Sequence, residues 1–248
     1  AQLHVTGNAN LSSSTLSGTG VSMTVDGNMT LDGSRITVTA SPVGGGQAAM
    51  GADVNVGEAM QLLNDSLLIP ISAADGSSVK FALGTGYIDA TSGVNADGHG
   101  FDGAPRNARG AGEGPGGAPL PFNSNGGGGG GYGGAGGSGQ GGSGGPAYGT
   151  AELPLQPGSG GATTDGGGND RGGDGGGLIW LVVGGNFELQ GLLSADGEFY
   201  TDPAAWRGGG GSGGAIYVRA PFIEGAGTLT ATGGWGRDSG GGGGGGID

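Results

Sequence analysis

Along residues 1–40, apolar side chains alternate with Ser, Thr, Asn or Asp, and the alternation repeats. Gly7-Asn8-Ala9-Asn10-Leu11 returns 20 residues later as Gly27-Asn28-Met29-Thr30-Leu31, with Ser14 and Leu16 matched by Ser34 and Ile36. Gly185-Asn186-Phe187-Glu188-Leu189 is a third copy. A period of two marks a strand with one buried face, because successive side chains point to opposite sides. Gly-Asn and Asp-Gly mark corners, where positive φ costs little. Units this short cannot bury an apolar face alone, so they must stack on one another. The pattern predicts an all-β chain whose coils form a parallel β-helix, a solenoid. The competing antiparallel sandwich needs two-residue hairpins every ~8 to 12 residues, and the recurrence of Gly-Asn at matching positions speaks against it.

A coarser echo runs through the C-terminal part of the chain. A short apolar strand leads to Ala-Asp-Gly or Ala-Thr-Gly and then to a glycine-rich loop. The copies are Tyr87 to Ala90 with Ala96-Asp97-Gly98, Leu178 to Leu181 with Ala195-Asp196-Gly197, and Ala215 to Val218 with Ala231-Thr232-Gly233. Between the two patterns, Ser66 to Ile71 and Val79 to Leu83 read as strands, with Pro70 better suited to a coil edge or corner. Glu58 to Leu63 reads as one or two helical turns closed by Asn64-Asp65. The expected organisation is one continuous solenoid. Residues 1–83 form coils with a short irregular or helical insert, and residues 84–248 form coils interrupted by glycine-rich loops. Leu11, Leu31, Leu189 and Leu229 are expected to share one stacked interior.

Composition sharpens this picture. Glycine supplies 71 of 248 residues, enough to raise collagen or disorder. The runs Gly126 to Gly131 and Gly240 to Gly246 break any Gly-X-Y period, and strands such as Leu178 to Val183 demand a core. The tracts leave and re-enter the strand repeats, so they read as loops projecting from a stack. Side by side they could form extended threefold polyglycine II helices, since only glycine lets backbones approach so closely. Glycine also loses the most entropy on ordering. Lateral hydrogen bonds and clamping by Tyr132, Tyr148, Trp206 and Trp235 are the compensation required.

The chain has no cysteine, which removes disulfides and thiolate chemistry, and its net charge of −13 opposes nucleic acid and anionic membranes. No apolar run reaches the ~20 residues of a membrane span, so no membrane insertion is expected. A start directly at a strand-like segment, Ala1-Gln2, resembles a mature secreted chain and suggests an extracellular or cell-surface location. Neither end carries a polar capping segment, so the expectation is that either the chain is part of a longer protein or it stacks end to end.

Gly208 to Ala220, followed by Gly225-Ala-Gly-Thr-Leu-Thr-Ala-Thr-Gly-Gly234 and the run Gly240 to Gly246, resembles the repeat of large secreted glycine-rich bacterial β-helix proteins. The resemblance covers residues 84–248 and implies surface, adhesion or matrix roles, with no catalytic residues to carry over. The tracts separately look like the bundled polyglycine II helices of phage tail-fibre adhesins.

Candidate chemistry is sparse. Asp97, His99 and Asp102 form one loop cluster, and Asp196, Glu198 and Asp202 occupy the equivalent place after the next strand pair, with Asp238 in the third. Oxygen ligands at alternating positions suit Ca²⁺, although Asp-Gly also serves simply to make the turn, which is the favoured reading. No cofactor is expected, with calcium as the one candidate. Asp165, Asp170 and Asp174 fail the register of the calcium-binding nonapeptide repeat and read as solubilising charges. His4 and His99 lack a partner constellation, so no enzyme activity is expected. The preferred reading is a non-enzymatic extracellular structural protein that assembles with copies of itself into a filament or matrix. The alternative is an adhesin binding a cell-surface glycan or protein through loop aromatics Tyr132, Trp206 and Trp235. A β-helix enzyme acting on polysaccharide through two carboxylates comes third.

Overall fold

The computed structural model describes residues 1–44, 48–106, 108–164, 170–199, 207–236 and 240–247. Among them there is no helix. The strands are β1 (Gln2–Val5), β2 (Ala9–Ser12), β3 (Thr15–Thr19), β4 (Ser22–Val25), β5 (Met29–Asp32), β6 (Arg35–Thr39), β7 (Met50–Leu63), β8 (Leu67–Ile71) and β9 (Ser78–Ile88). They continue as β10 (Gly93–Asn95), β11 (Leu178–Val183), β12 (Asn186–Leu189), β13 (Leu192–Ser194), β14 (Ala215–Arg219), β15 (Phe222–Glu224), β16 (Thr228–Thr230) and β17 (Gly246–Ile247).

The strands make two sheets, and every strand pair in them is parallel. The first sheet follows the order β1-β4-β7-β9-β11-β14-β17, with β2 and β5 continuing alongside β7, and β12 and β15 alongside β9. The second runs β3-β6-β8-β10-β13-β16. Each pass of the chain therefore lays one tier of strands on the tier before it. This all-β, parallel arrangement is compatible with the expected class.

Register is set by apolar ladders. Leu11, Leu31, Leu62, Ile88 and Leu189 occupy one ladder across successive tiers. Leu16, Ile36, Leu68, Val94, Leu193 and Leu229 occupy another in the second sheet. A slip of one residue would turn every one of these side chains outward. Leu31 and Leu189 are buried and Leu11 packs partly buried against the same core. Leu229 departs from the expectation: it stacks on Leu193, not Leu189, and is 38% exposed because its tier ends the sheet.

Polar ladders run along the corners. The Asn8 side-chain oxygen accepts from the Asn28 amide (2.8 Å), and that of Asn28 accepts from the Ala59 amide (3.0 Å). At the next corner the hydroxyls of Ser34, Ser66 and Ser92 accept from the amides of Ser14, Ser34 and Ser66 at 3.0–3.1 Å. These bonds satisfy amides where the strand ladder turns.

Three local expectations are corrected. Residues 58–63 are the second half of β7, with Met60 and Leu62 buried against Met29 and Leu31, so ladder packing overrides helix propensity. Pro70 lies within β8 opposite Val38, while β10 pairs only with Leu67 and Leu68, so on that side the ladder is ending where the donor is missing. The counterpart of Trp180 is Lys80, not the Tyr87 segment, which pairs with Glu188 one corner later.

The glycine tracts form three arms that leave the second sheet after β10, β13 and β16 and return into β11, β14 and β17. Their backbones bond to one another with a step of three residues. Gly127 and Gly130 amides donate to the carbonyls of Arg207 and Gly210 (2.8 and 2.9 Å). Gly240 and Gly243 donate back to Gly127 and Gly130 (2.9 and 2.8 Å), and Gly173 and Gly176 donate to Gly209 and Ser212, both at 2.9 Å. Partners that advance by three on both segments are what extended threefold helices present to their neighbours.

An aromatic seam joins the arms to the outer face of the first sheet. Tyr132 and Tyr148 pack edge to face with centroids 4.8 Å apart, and Tyr132 clusters with Leu155, Leu178, Trp180 and Ala215. The Ser159 hydroxyl donates to the Tyr148 oxygen at 3.0 Å. Tyr132 is 1% exposed, which rules out the loop-contact role expected for it: it clamps the bundle from inside.

Candidate functional site

Each arm starts with a turn set directly on a strand of the second sheet. Ala96 and Ala195, the last residues before the first two turns, are fully buried, which anchors the turns to the core. Asp97 Oδ1 accepts from the Ser194 hydroxyl (2.5 Å) and the Asp196 amide (2.7 Å). Asp196 repeats the motif one tier on, accepting from the Thr232 amide (2.6 Å) and the Thr230 hydroxyl (3.1 Å). The two carboxylates thus tie three successive arms together.

Beyond these turns lies a groove of about 640 Å³ that holds Asp97, His99, Asp174, Asp196, Glu198, Phe199 and Trp235. Arg171 from the first arm donates to Asp174 and, at 2.7 Å, to Glu198 in the second arm. Asp174 also accepts the Gly103 amide at 2.7 Å. Burial pushes the Glu198 carboxyl above its usual range and Asp174 adds to the rise, with Arg171 opposing. Burial lowers the His99 pKa against the pull of Asp97 and Asp174. Phe199 and Trp235 stack at the mouth with centroids 5.8 Å apart and planes 20° apart, yet remain 45% and 63% exposed.

Of the residues expected to bind calcium, the structure brings Asp97, Asp196 and Glu198 into one groove. Asp102 lies outside it, exposed, and Asp202 lies outside the described residues. Among the described residues no three His, Asp or Glu groups converge as a metal site. Asp97 and Asp196 accept the bonds that hold the turns, and Glu198 accepts from Arg171. Of the expected contact aromatics among the described residues, Trp235 faces solvent and Tyr132 does not; Trp206, like Asp165 and Asp238, lies outside the described residues.

Sequence reasoning missed the part played by Asp170, Arg171 and Asp174. Asp170 is 2% exposed and accepts the Arg207 amide at 3.4 Å, and Asp174 is half-buried under Arg171, so neither is a free solubilising charge. It also missed that His4 pairs with Asp26 at 2.8 Å on the exposed face. The 20-residue repeat held the signal for the latter, since it places Thr24 beside His4 and Asp26 just beyond. No family model, curated protein or solved structure matches the chain.

Proposed function

We propose that the chain is a parallel β-helix flanked by polyglycine II helices, and that it serves as a non-enzymatic extracellular structural protein extending into filaments or a surface matrix by stacking with copies of itself. The observation that carries this reading is the state of the end tiers. Leu3, Ile223, Leu229 and Ile247 hold the same ladder positions as interior residues, yet they are 45%, 57%, 38% and 51% exposed. Uncovered apolar ladders on open sheet edges favour addition of another tier.

Repulsion between chains of charge −13 opposes stacking, so salt should promote it by shortening the Debye length to about 8 Å at physiological strength. On β1, the Ala1 and Val5 carbonyls accept bonds from the next tier, so residues of that parity point inward and His4 presents its amide to the free edge. The variants His4→Pro and Ile223→Asp address the two edges separately. Electron microscopy and light scattering across salt should show filaments for the parent chain and dispersed particles for either variant. A parent chain that stays monomeric at high concentration and high salt overturns the assembly reading. The exposed Trp235 and Phe199 favour a second reading as a binding module.

A further inference from the structure

We infer that the groove at the base of the glycine arms binds an oligosaccharide of protonated amino sugars. The inference does not rest on stacking, because the described lining of the groove comes from one copy of the chain. Three features of the groove carry it.

The first is shape. A cleft of about 640 Å³ lies within the range that holds small ligands, and it is built from three equivalent turns that Asp97 and Asp196 hold in fixed register. The second is the aromatic pair. Phe199 and Trp235 stack with nearly parallel planes, and their exposed parts give the mouth an apolar aromatic wall, although neither ring is drawn into the core. A sugar ring offers its C–H face to such a wall while its polar groups point to the rim.

The third feature is charge. Among the described residues, Asp97, Asp174, Asp196 and Glu198 line the groove, and the Arg171 guanidinium pairs with two of them, Asp174 and Glu198. Phosphate, sulfate and uronic acid ligands would be repelled. Burial disfavours the charged form of His99, against the pull of Asp97 and Asp174. An ammonium group supplies three donors to an acceptor-rich rim and is attracted to an aromatic face as well. An amino sugar joins that cation to a stackable ring in one unit.

The test uses the full chain with three probes at equal concentration: a glucosamine tetramer, its fully N-acetylated counterpart, and tetralysine as a control for charge alone. Calorimetry on the parent chain and on Trp235→Ala and Phe199→Ala, each checked for unchanged circular dichroism, reads the affinities. The glucosamine tetramer should bind, and acetylation should weaken it by about tenfold or more, the scale of one desolvated cation–aromatic contact. Either aromatic variant should lose a similar factor for the sugar and a smaller one for tetralysine, which carries the cation but no ring to stack. Absence of binding, equal affinity for the acetylated probe, or aromatic variants that bind the sugar as tightly as the parent would each overturn the proposal.

Discussion

Substituting alanine for Gly130 tests whether the glycine arms are packed as closely as their bonding implies. A Cβ at that position would lie 2.2 Å from the Ser159 carbonyl oxygen and 2.8 Å from that of Gly160. An ordinary C···O contact needs about 3.3 Å or more, so the backbone must retreat by roughly 1 Å. Retreat breaks the bonds from the Gly130 amide to Gly210 and from the Gly243 amide to Gly130 (2.9 and 2.8 Å). Two bonds at about 1 kcal/mol each, with about 1–3 kcal/mol for overpacking, outweigh the ~0.4–1 kcal/mol gained by stiffening the unfolded chain. The net loss expected is about 2–4 kcal/mol. Gly244→Ala is the matched control, because nothing lies within 4 Å of its Cβ and its φ is not left-handed. It should be neutral or stabilising by up to about 1 kcal/mol. Thermal unfolding by circular dichroism should show Gly130→Ala melting about 5–15 °C below the parent and Gly244→Ala within a few degrees of it. Equal melting temperatures for the two variants would refute close packing of the arms.

Other consequences follow from the same structure. Leu31→Ala should cost about 2–5 kcal/mol by denaturant titration, whereas Leu229→Ala, at a site 38% exposed, should cost well under half of that; equal losses would contradict the ladder assignment. Asp196→Ala should cost about 1–2 kcal/mol by removing its bonds to the Thr232 amide and the Thr230 hydroxyl, and should raise hydrogen exchange at Thr232 before it does so in β14. Burial pushes the Tyr132 phenol from 10.0 up to about 12. Because the folded value lies above the unfolded one, its contribution is fully present below about pH 10 and is lost as pH rises through about 12. Alkaline unfolding followed by tyrosinate absorbance should therefore shift to higher pH in Tyr132→Phe, and an unchanged midpoint would contradict the buried setting.

How much of this was legible in the sequence depends on where side chains carry the register. The Gly-Asn corners of the first, second and fifth tiers place Ala9, Met29 and Phe187 in one ladder, as their repeat implies. In the third and fourth tiers the same corner is spanned by the long strands β7 and β9 without a Gly-Asn pair, so the repeat vanished from view there. That loss is why Glu58 to Leu63 read as a helix and why Tyr87 was matched with the wrong strand. At Gly86, opposite Phe187, a Cβ would lie 2.7 Å from the aromatic ring, so an apparent gap in the hydrophobic pattern is in fact space for a neighbour's side chain. The candidate site divides in the same way. Asp97 and Asp196 were recognisable as equivalent turns, but Arg171 and Asp174 reach the groove from a different stretch of glycine. Backbone pairing brings them there, and glycine side chains encode none of that pairing.

The account depends most on the arms being an ordered, laterally bonded bundle held on the stacked sheets. Amide hydrogen exchange resolved by residue on the parent chain tests it directly. Protection should appear at Gly127, Gly130, Gly240 and Gly243, whose amides donate within the bundle, at levels approaching those of β9 and β11. Exchange at the rate of an unstructured glycine peptide throughout residues 126–145, with the strands still protected, would contradict it.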